Sequence, residues 1–535
     1  MRASRDWLPK AVVFVWLATF LSSCRGTTLI VATPDSAGIQ LAIDSGRPGD
    51  TIVLPPGTYS ITEAIKPKSG TRLLGSGQGK TIIRFVGKAP DVLMRIAGCE
   101  DVEAAHLTLD GENNPLLKQG ILGTNSRRVK IHHVTVRNLV KSETWGPHGI
   151  LFTGKNPTRE NAVSDSEIAD CLIENIATDA KFGCGIRMAW GSSRNRILRN
   201  TIRNTGRGGI FGDNGSNDLI IRENTVAGSG GEGLGIEVWG RSDRCVIEDN
   251  RIDHWLSVGG SDFCAVRRNV VEDKGGPTKP YGLEIIGSYC IVSDNTVGER
   301  QGVGVSVSSK MPKNYHFYAR NTIRGCYHWG AQFQGEEGGI ARCYLYRCKF
   351  LDTMVGHPSV RYKGAEGNGF RTNGNVKQIV FEECDFSDNA KCGLQLGGPN
   401  VDQLSFVRCT IRNNKFAAVV GPKDYTALEW IDCAVEGNGK NDLPPAKPFA
   451  GPPPTASFDV SEELRVGKLI TFVSTSKAAT GKIAAVMWDF GDGIPVIESR
   501  TEHTYSKPGE YRVTLLVWDD AGRGARAEKV VRVAP

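Results

Sequence analysis

A chain of 535 residues with a formal net charge of +7 can bury a sizeable core and divide into two to four domains. The positive excess is too small and too spread for a nucleic-acid surface, and it suits an acidic polymer such as a uronate polysaccharide. Glycine is abundant at 64 residues, and no stretch repeats with helical period, which excludes a helical bundle.

Residues 1–24 read as a secretory signal. Arg2, Arg5 and Lys10 form its basic start, and Ala11–Leu21 is an apolar core too short to cross a bilayer. Leu21–Cys24 reads LSSC, a lipobox-like ending with Cys24 as the lipidated residue. Cleavage after a small residue such as Gly26 is the alternative. Either way the protein is expected to be secreted, periplasmic or held at the cell surface, meeting a membrane only through such an anchor.

Thr33–Gly46 offers Asp35 or Ser36 as a helix N-cap and Gly46 as a stop, a short helix suited to covering the open end of a solenoid. Gly49–Ile61 is then the first coil. Downstream one phrase recurs, as in RILRNTI, LIIRENTV, CVIEDNRI and FYARNTI. Its asparagines are Asn200, Asn224, Asn250, Asn269, Asn295 and Asn321, and Cys348, Cys384, Cys409 and Cys433 take the slot in later copies. Periods of this length with short alternating strands predict stacked coils about 4.8 Å apart, with an internal Asn ladder. Asparagine tolerates left-handed backbone and its amide can satisfy turn peptides, which would explain its column. A second column holds Cys245, Cys264, Cys290 and Cys343. Adjacent rungs are too far apart for an easy disulfide, so most cysteines after Cys24 are expected as buried thiols.

A second phrase, glycine–apolar–any–apolar, precedes each of these. Its third position points outward, giving the column Leu151, Arg187, Phe211, Glu237, Glu284, Ser306, Gln332, Arg371 and Gln395. Asp213, Trp239 and Trp190 lie just beyond it. Acids and aromatic residues coincide in the middle coils, the combination that holds sugar rings and moves protons. Exposed strands are ordinarily polar, and a solvated face is the competing explanation. Stacked like charges destabilise a sheet, however, and call for a cation or raised pKa values. Insertions at residues 141–149, 155–164, 274–282 and 357–369 interrupt the repeat and would wall a cleft. They carry Trp145, His148, Lys279, Tyr281, Tyr362 and Lys363.

Ala42–Tyr59, AIDSGRPGDTIVLPPGTY, followed by these coils, resembles the right-handed parallel β-helix, pectate-lyase-like superfamily over residues 28–440. Residues 441–455 are a proline-rich linker. Residues 456–535, with WDFGDG at Trp488–Gly493 and a following HTY and PGEYRVTL, resemble a PKD-type immunoglobulin-like β-sandwich. Asp489 and Asp492 are expected to shape its turn. The resemblance implies an all-β chain but not an activity, since the superfamily holds lyases, hydrolases, epimerases and surface proteins. The family motifs of polygalacturonases are absent. GPHG at Gly146–Gly149 keeps Pro147 and His148 of the mannuronan epimerase motif without its acids.

Two functions follow. The first is binding and processing of an extracellular polysaccharide, as lyase or glycoside hydrolase, with Glu237, Glu284, Asp213 and Arg187 catalytic. Trp239, Trp190, His148, Tyr281, Gln332 and Arg371 would then bind substrate. The second is a non-catalytic surface or adhesion protein that binds glycan on the same face. No cofactor is fixed by these motifs; Ca²⁺ is the ion a lyase of the pectate type would use.

Overall fold

The structure, a computed structural model, describes residues 26–142, 145–178, 181–230, 234–253, 255–272, 279–298, 301–309, 313–355, 366–422 and 424–535. The expectations for the signal, for Cys24, and for Tyr362 and Lys363 lie outside these residues. The main body is a parallel β-solenoid of about 14 turns. Each full coil contributes three short strands, one to each of three parallel sheets. Cys184–Ala189, Arg196–Leu198 and Thr201–Thr205 form one coil. The next coil repeats them in register, Ile186 on Ile210, Ile197 on Ile221 and Ile202 on Val226. These residues point inward and are buried, as strand alternation requires. Helix α1 (Ser36–Ser45) covers the first coil with Ile39 and Ile43. Asp35 caps it by accepting from the Gly38 amide at 2.8 Å, and Gly46 ends it. Among the described residues no helix is long and apolar enough to cross a membrane.

The Asn ladder runs unbroken from Asn200 to Asn321. Asn250 Oδ1 accepts from the backbone amide and the side-chain Nδ2 of Asn224, at 2.9 and 3.0 Å. Its own Nδ2 donates to Ile221 O and to Asn269 Oδ1, both at 2.9 Å. The left-handed backbone lies one residue earlier, at Arg199, Glu223, Asp249, Arg268, Asp294 and Arg320. Asparagine is therefore selected for its inward amide, not for its φ. The left-handed residues point outward and pair across rungs, Arg199 with Asp170, Arg268 with Asp249 and Arg320 with Asp294. Such pairs offset part of the strain of a non-glycine residue in that region. Asn250→Ala would orphan several buried backbone groups and should lower unfolding stability by at least about 2 kcal/mol. A denaturant melt of the variant checks this.

Among the described residues no disulfide forms, and twelve of the thirteen cysteines are buried. Cys245, Cys264 and Cys290 stack, then His316 takes the next rung before Cys343. Burial pushes the Cys171 and Cys343 thiols up to about 12, so neither is a ready nucleophile.

Residues 441–455 lie along the last coils rather than free in solvent. Lys447 and Leu428 exchange backbone hydrogen bonds of 2.8 Å, and Trp430 Nε1 donates to Pro444 O at 3.0 Å. This segment shields an edge that would otherwise pair with another chain. The following strands form two three-stranded antiparallel sheets around Phe472, Trp488, Tyr505 and Val517. Asp489 accepts from the Gly491 amide at 2.9 Å and Asp492 pairs with His503 at 2.7 Å, which shapes the WDFGDG turn. This sandwich packs Met487, Leu516 and Trp518 onto Ile291, Phe317, Tyr344 and Tyr346 of the second sheet. Proteolysis in 441–455 should therefore yield two fragments that still co-elute in native size-exclusion chromatography; separate elution would count against a docked sandwich.

Candidate functional site

The site lies on the first sheet. Its strands are β1 (Cys184–Ala189), β2 (Gly208–Asp213), β3 (Ile236–Trp239), β4 (Leu256–Gly259) and β5 (Lys279–Ile286). Register stacks Arg187, Phe211, Glu237, Ser257 and Glu284 on successive rungs, with Asp213 on Trp239 beside them. The glycine opening each phrase is required by close approach. A Cβ on Gly209 would sit 2.4 Å from Val226 Cγ1, so the coil could not close. Ser257 is the rung the repeat reading omitted, because WLSVGG lacks that glycine.

Two arginines separate the acids. Arg187 Nη2 donates to Asp213 Oδ2 at 2.6 Å, and Arg207 Nη2 to Glu237 Oε2 at 2.6 Å. Asp213 and Glu237 are only 3% and 5% exposed. Burial raises the pKa of Asp213 and outweighs Arg187, which opposes it. Burial likewise raises Glu237 against Arg207, with Glu284 and Asp213 adding to the rise. Glu284 is raised by burial too. Its Oε2 accepts from Ser257 Oγ at 2.7 Å, the one opposing influence. His148 is fully buried; desolvation and the adjacent Arg187 hold it well below the usual imidazole range. Its Nδ1 accepts from the Cys184 amide at 3.1 Å, so the neutral ring fixes β1 against the loop that carries it.

Above these groups opens a cavity of about 650 Å³ lined by Trp145, Asn156, Phe182, Arg187, Trp190, Arg207, Asp213, Glu237 and Trp239. Trp145 stacks on Phe182 at 3.9 Å and is 56% exposed, and Trp239 is 48% exposed. Exposed indole faces beside buried carboxylates form a surface suited to sugar rings. Trp190 holds φ at +50°, a strained state for an aromatic residue, and this turn aims it at the cavity.

The cavity gathers Arg187, Asp213, Glu237, Trp190 and Trp239 of the sequence-derived set, with His148 beneath and Glu284 two rungs on. It does not gather the rest. Tyr281 meets Trp255 edge-on at 5.6 Å, Gln332 donates to Ser306 at 2.9 Å, and Arg371 lies over Trp329 at 4.2 Å. Gln332 stands four rungs beyond Glu237 on the same column, about 19 Å away. Arg207 and Phe182 were missed. Both precede their strands, outside the repeated phrase, and only a pairing argument for Glu237 would have sought such a cation.

The molecule is thus a parallel β-solenoid with a walled acid–arginine cleft and an appended β-sandwich. Residues 31–260 match the family model "Rhamnogalacturonase A/epimerase, pectate lyase-like", 254–443 match "Right handed beta helix region", and 451–534 match "PKD domain". It is a right-handed, pectate-lyase-like β-helix protein with a C-terminal PKD domain. The chain is 26% identical over 228 residues to mannuronan C5-epimerase AlgE1 of Azotobacter vinelandii, covering 38% of this chain and 15% of that one. It is 25% identical over 313 residues to the pre-neck appendage protein of Bacillus phage phi29, covering 54% and 33%. The PKD segment is 39% identical over 82 residues to a microbial collagenase of Vibrio alginolyticus, covering 15% and 10%. The chain therefore spans no more than a third of these relatives' length. The solved Agl-KA catalytic domain is similar at 15% identity and a TM-score of 0.47, over 75% of this chain and 70% of that one.

Proposed function

We propose that the cleft binds an extracellular polysaccharide and cleaves it by acid–base chemistry. One observation carries this reading: Glu237 and Glu284 stand two rungs apart across the small Ser257, both with pKa values raised by burial. Two rungs separate such groups by about 9–10 Å, near the spacing of inverting glycoside hydrolases. Among the described residues no cation pairs with Glu284, which would hold its proton as the acid. Glu237, held by Arg207, would be the base for water. Arg187 would hold Asp213 in place beneath the sugar, and Trp239 and Trp145 would stack on its faces. The matched rhamnogalacturonase and epimerase family model and the epimerase relatives favour a polysaccharide substrate. The PKD domain and its likeness to a collagenase favour an extracellular location.

Product release from a panel of neutral and acidic polysaccharides, with and without Ca²⁺, tests the proposal. Hydrolysis yields new reducing ends alone, whereas a lyase also yields an ultraviolet-absorbing double bond. The rate should follow a bell-shaped pH profile. Activity rises as Glu237 deprotonates and falls as Glu284 does, both limbs lying above the ordinary carboxylate value of about 4.3. Tight glycan binding without product from any polymer would leave an adhesion protein.

A further inference from the structure

Three histidines meet far from the cleft, on the flank of the early coils. His106 lies in the strand Glu103–Asp110, and His132 and His133 lie in Lys130–Leu139 of the next coil. The register of Ala105 with His132 and Leu107 with Val134 puts His133 opposite His106. Both hold left-handed backbone, with φ of 58° and 51°. Their column continues through Asp170 and Arg199, where downstream coils place acids against arginines. In these two coils the alternation is replaced by imidazoles, His106 and His133.

The ring nitrogens converge. One ligand atom from each of His106, His132 and His133 lies within 4.8 Å of the others. His132 Nδ1 is 3.1 Å from His133 Nδ1. A tetrahedral ion about 2.0–2.1 Å from each nitrogen would set them about 3.3 Å apart. An imidazole–imidazole hydrogen bond would explain that pair alone, but not the third ring. The outer contacts fit as well. His132 Nε2 is 3.1 Å from Glu103 Oε1, and Glu103 is itself held by Arg72 at 2.9 Å. The carboxylate fixes the proton on Nε2 and turns the Nδ1 lone pair towards His133, the arrangement that orients metal-bound histidines. Desolvation, with the other two rings, lowers the pKa of His106 and favours its neutral form.

We propose that His106, His132 and His133 bind one zinc-class divalent cation that clips two successive coils together. Three imidazoles suit Zn²⁺, Cu²⁺, Ni²⁺ or Co²⁺, whereas Ca²⁺ and Mg²⁺ prefer oxygen ligands. The site is independent of the acid cleft, and its failure would leave the cleft's role untouched.

Co²⁺ titration of the untagged, chelator-treated full chain tests it. One equivalent should bind with the visible d–d bands of a four-coordinate site, Zn²⁺ should displace the colour, and excess Ca²⁺ should not. Ligand removal in His106→Ala or His133→Ala should weaken binding by more than about 100-fold, and Glu103→Gln by about 10–100-fold. His133→Asn keeps a residue that tolerates the left-handed turn, so its loss of binding cannot be ascribed to misfolding. The proposal is overturned if the wild-type chain takes up no Co²⁺, or if the His106→Ala/His133→Asn variant binds it with unchanged affinity.

Discussion

Glu237→Gln and Glu284→Gln should each slow polymer cleavage by about 10²–10⁴-fold, the usual contribution of a positioned acid or base. The substitutions keep side-chain shape and remove only the proton chemistry. Their stability effects should differ. The pKa of Glu284 is raised in the folded state, so its stabilising effect is complete below the unfolded value and is lost as pH rises through the folded one. The amide introduced by Glu284→Gln would not titrate and could keep the Ser257 hydrogen bond, so the melting temperature at neutral pH should hold or rise while activity falls. Glu237→Gln leaves the Arg207 guanidinium without its anion and should lower the melting temperature slightly. Inactivity with unchanged or higher stability marks a group kept for function. Steady-state rates and thermal melts of both variants decide it; full activity in both would remove these acids from the mechanism.

The coil register was legible because strand alternation and the Asn phrase carry it directly. Arg187, Phe211, Glu237 and Glu284 fall on the predicted outward column for that reason. Arg207 escaped because coil closure, not sequence phase, brings it over Phe211 at 4.9 Å. The Asn column was located correctly, and its amides do satisfy neighbouring peptides, but the left-handed backbone was misplaced: the strained residues are the charged ones before it. The docking of the sandwich left a signal that the repeat reading passed over. Ile291, Phe317 and Tyr344 are apolar at second-sheet positions that Arg196 and Ile220 occupy half-exposed or exposed upstream. A column that turns apolar on the outside of a solenoid needs a cover.

Arg267–Asp489 is more deeply buried than Arg523–Glu429 and Arg526–Glu382, which also pin that cover, and breaking it should have the largest effect on stability. Arg267 is 1% exposed; its Nη2 donates to Asp489 Oδ1 at 2.8 Å and its Nη1 to Gly493 O at 2.5 Å. Asp489→Ala strands a guanidinium inside the interface, which in a rigid protein costs about 3–5 kcal/mol. Here the chain has an escape, because the sandwich has its own core and is tethered by residues 441–455. The destabilisation should therefore appear as undocking, limited by the docking free energy, with the solenoid melting near its original temperature. Trp518, fully buried against Tyr315, would meet water, and its fluorescence should shift to the red. Arg267→Met with Asp489→Ala removes both the stranded charge and its partner, so the double variant should lose less than the sum of the single losses. Additive losses, or an Asp489→Ala protein with unaltered melting and fluorescence, would show that the remaining ion pairs and apolar contacts hold the sandwich in place without this pair.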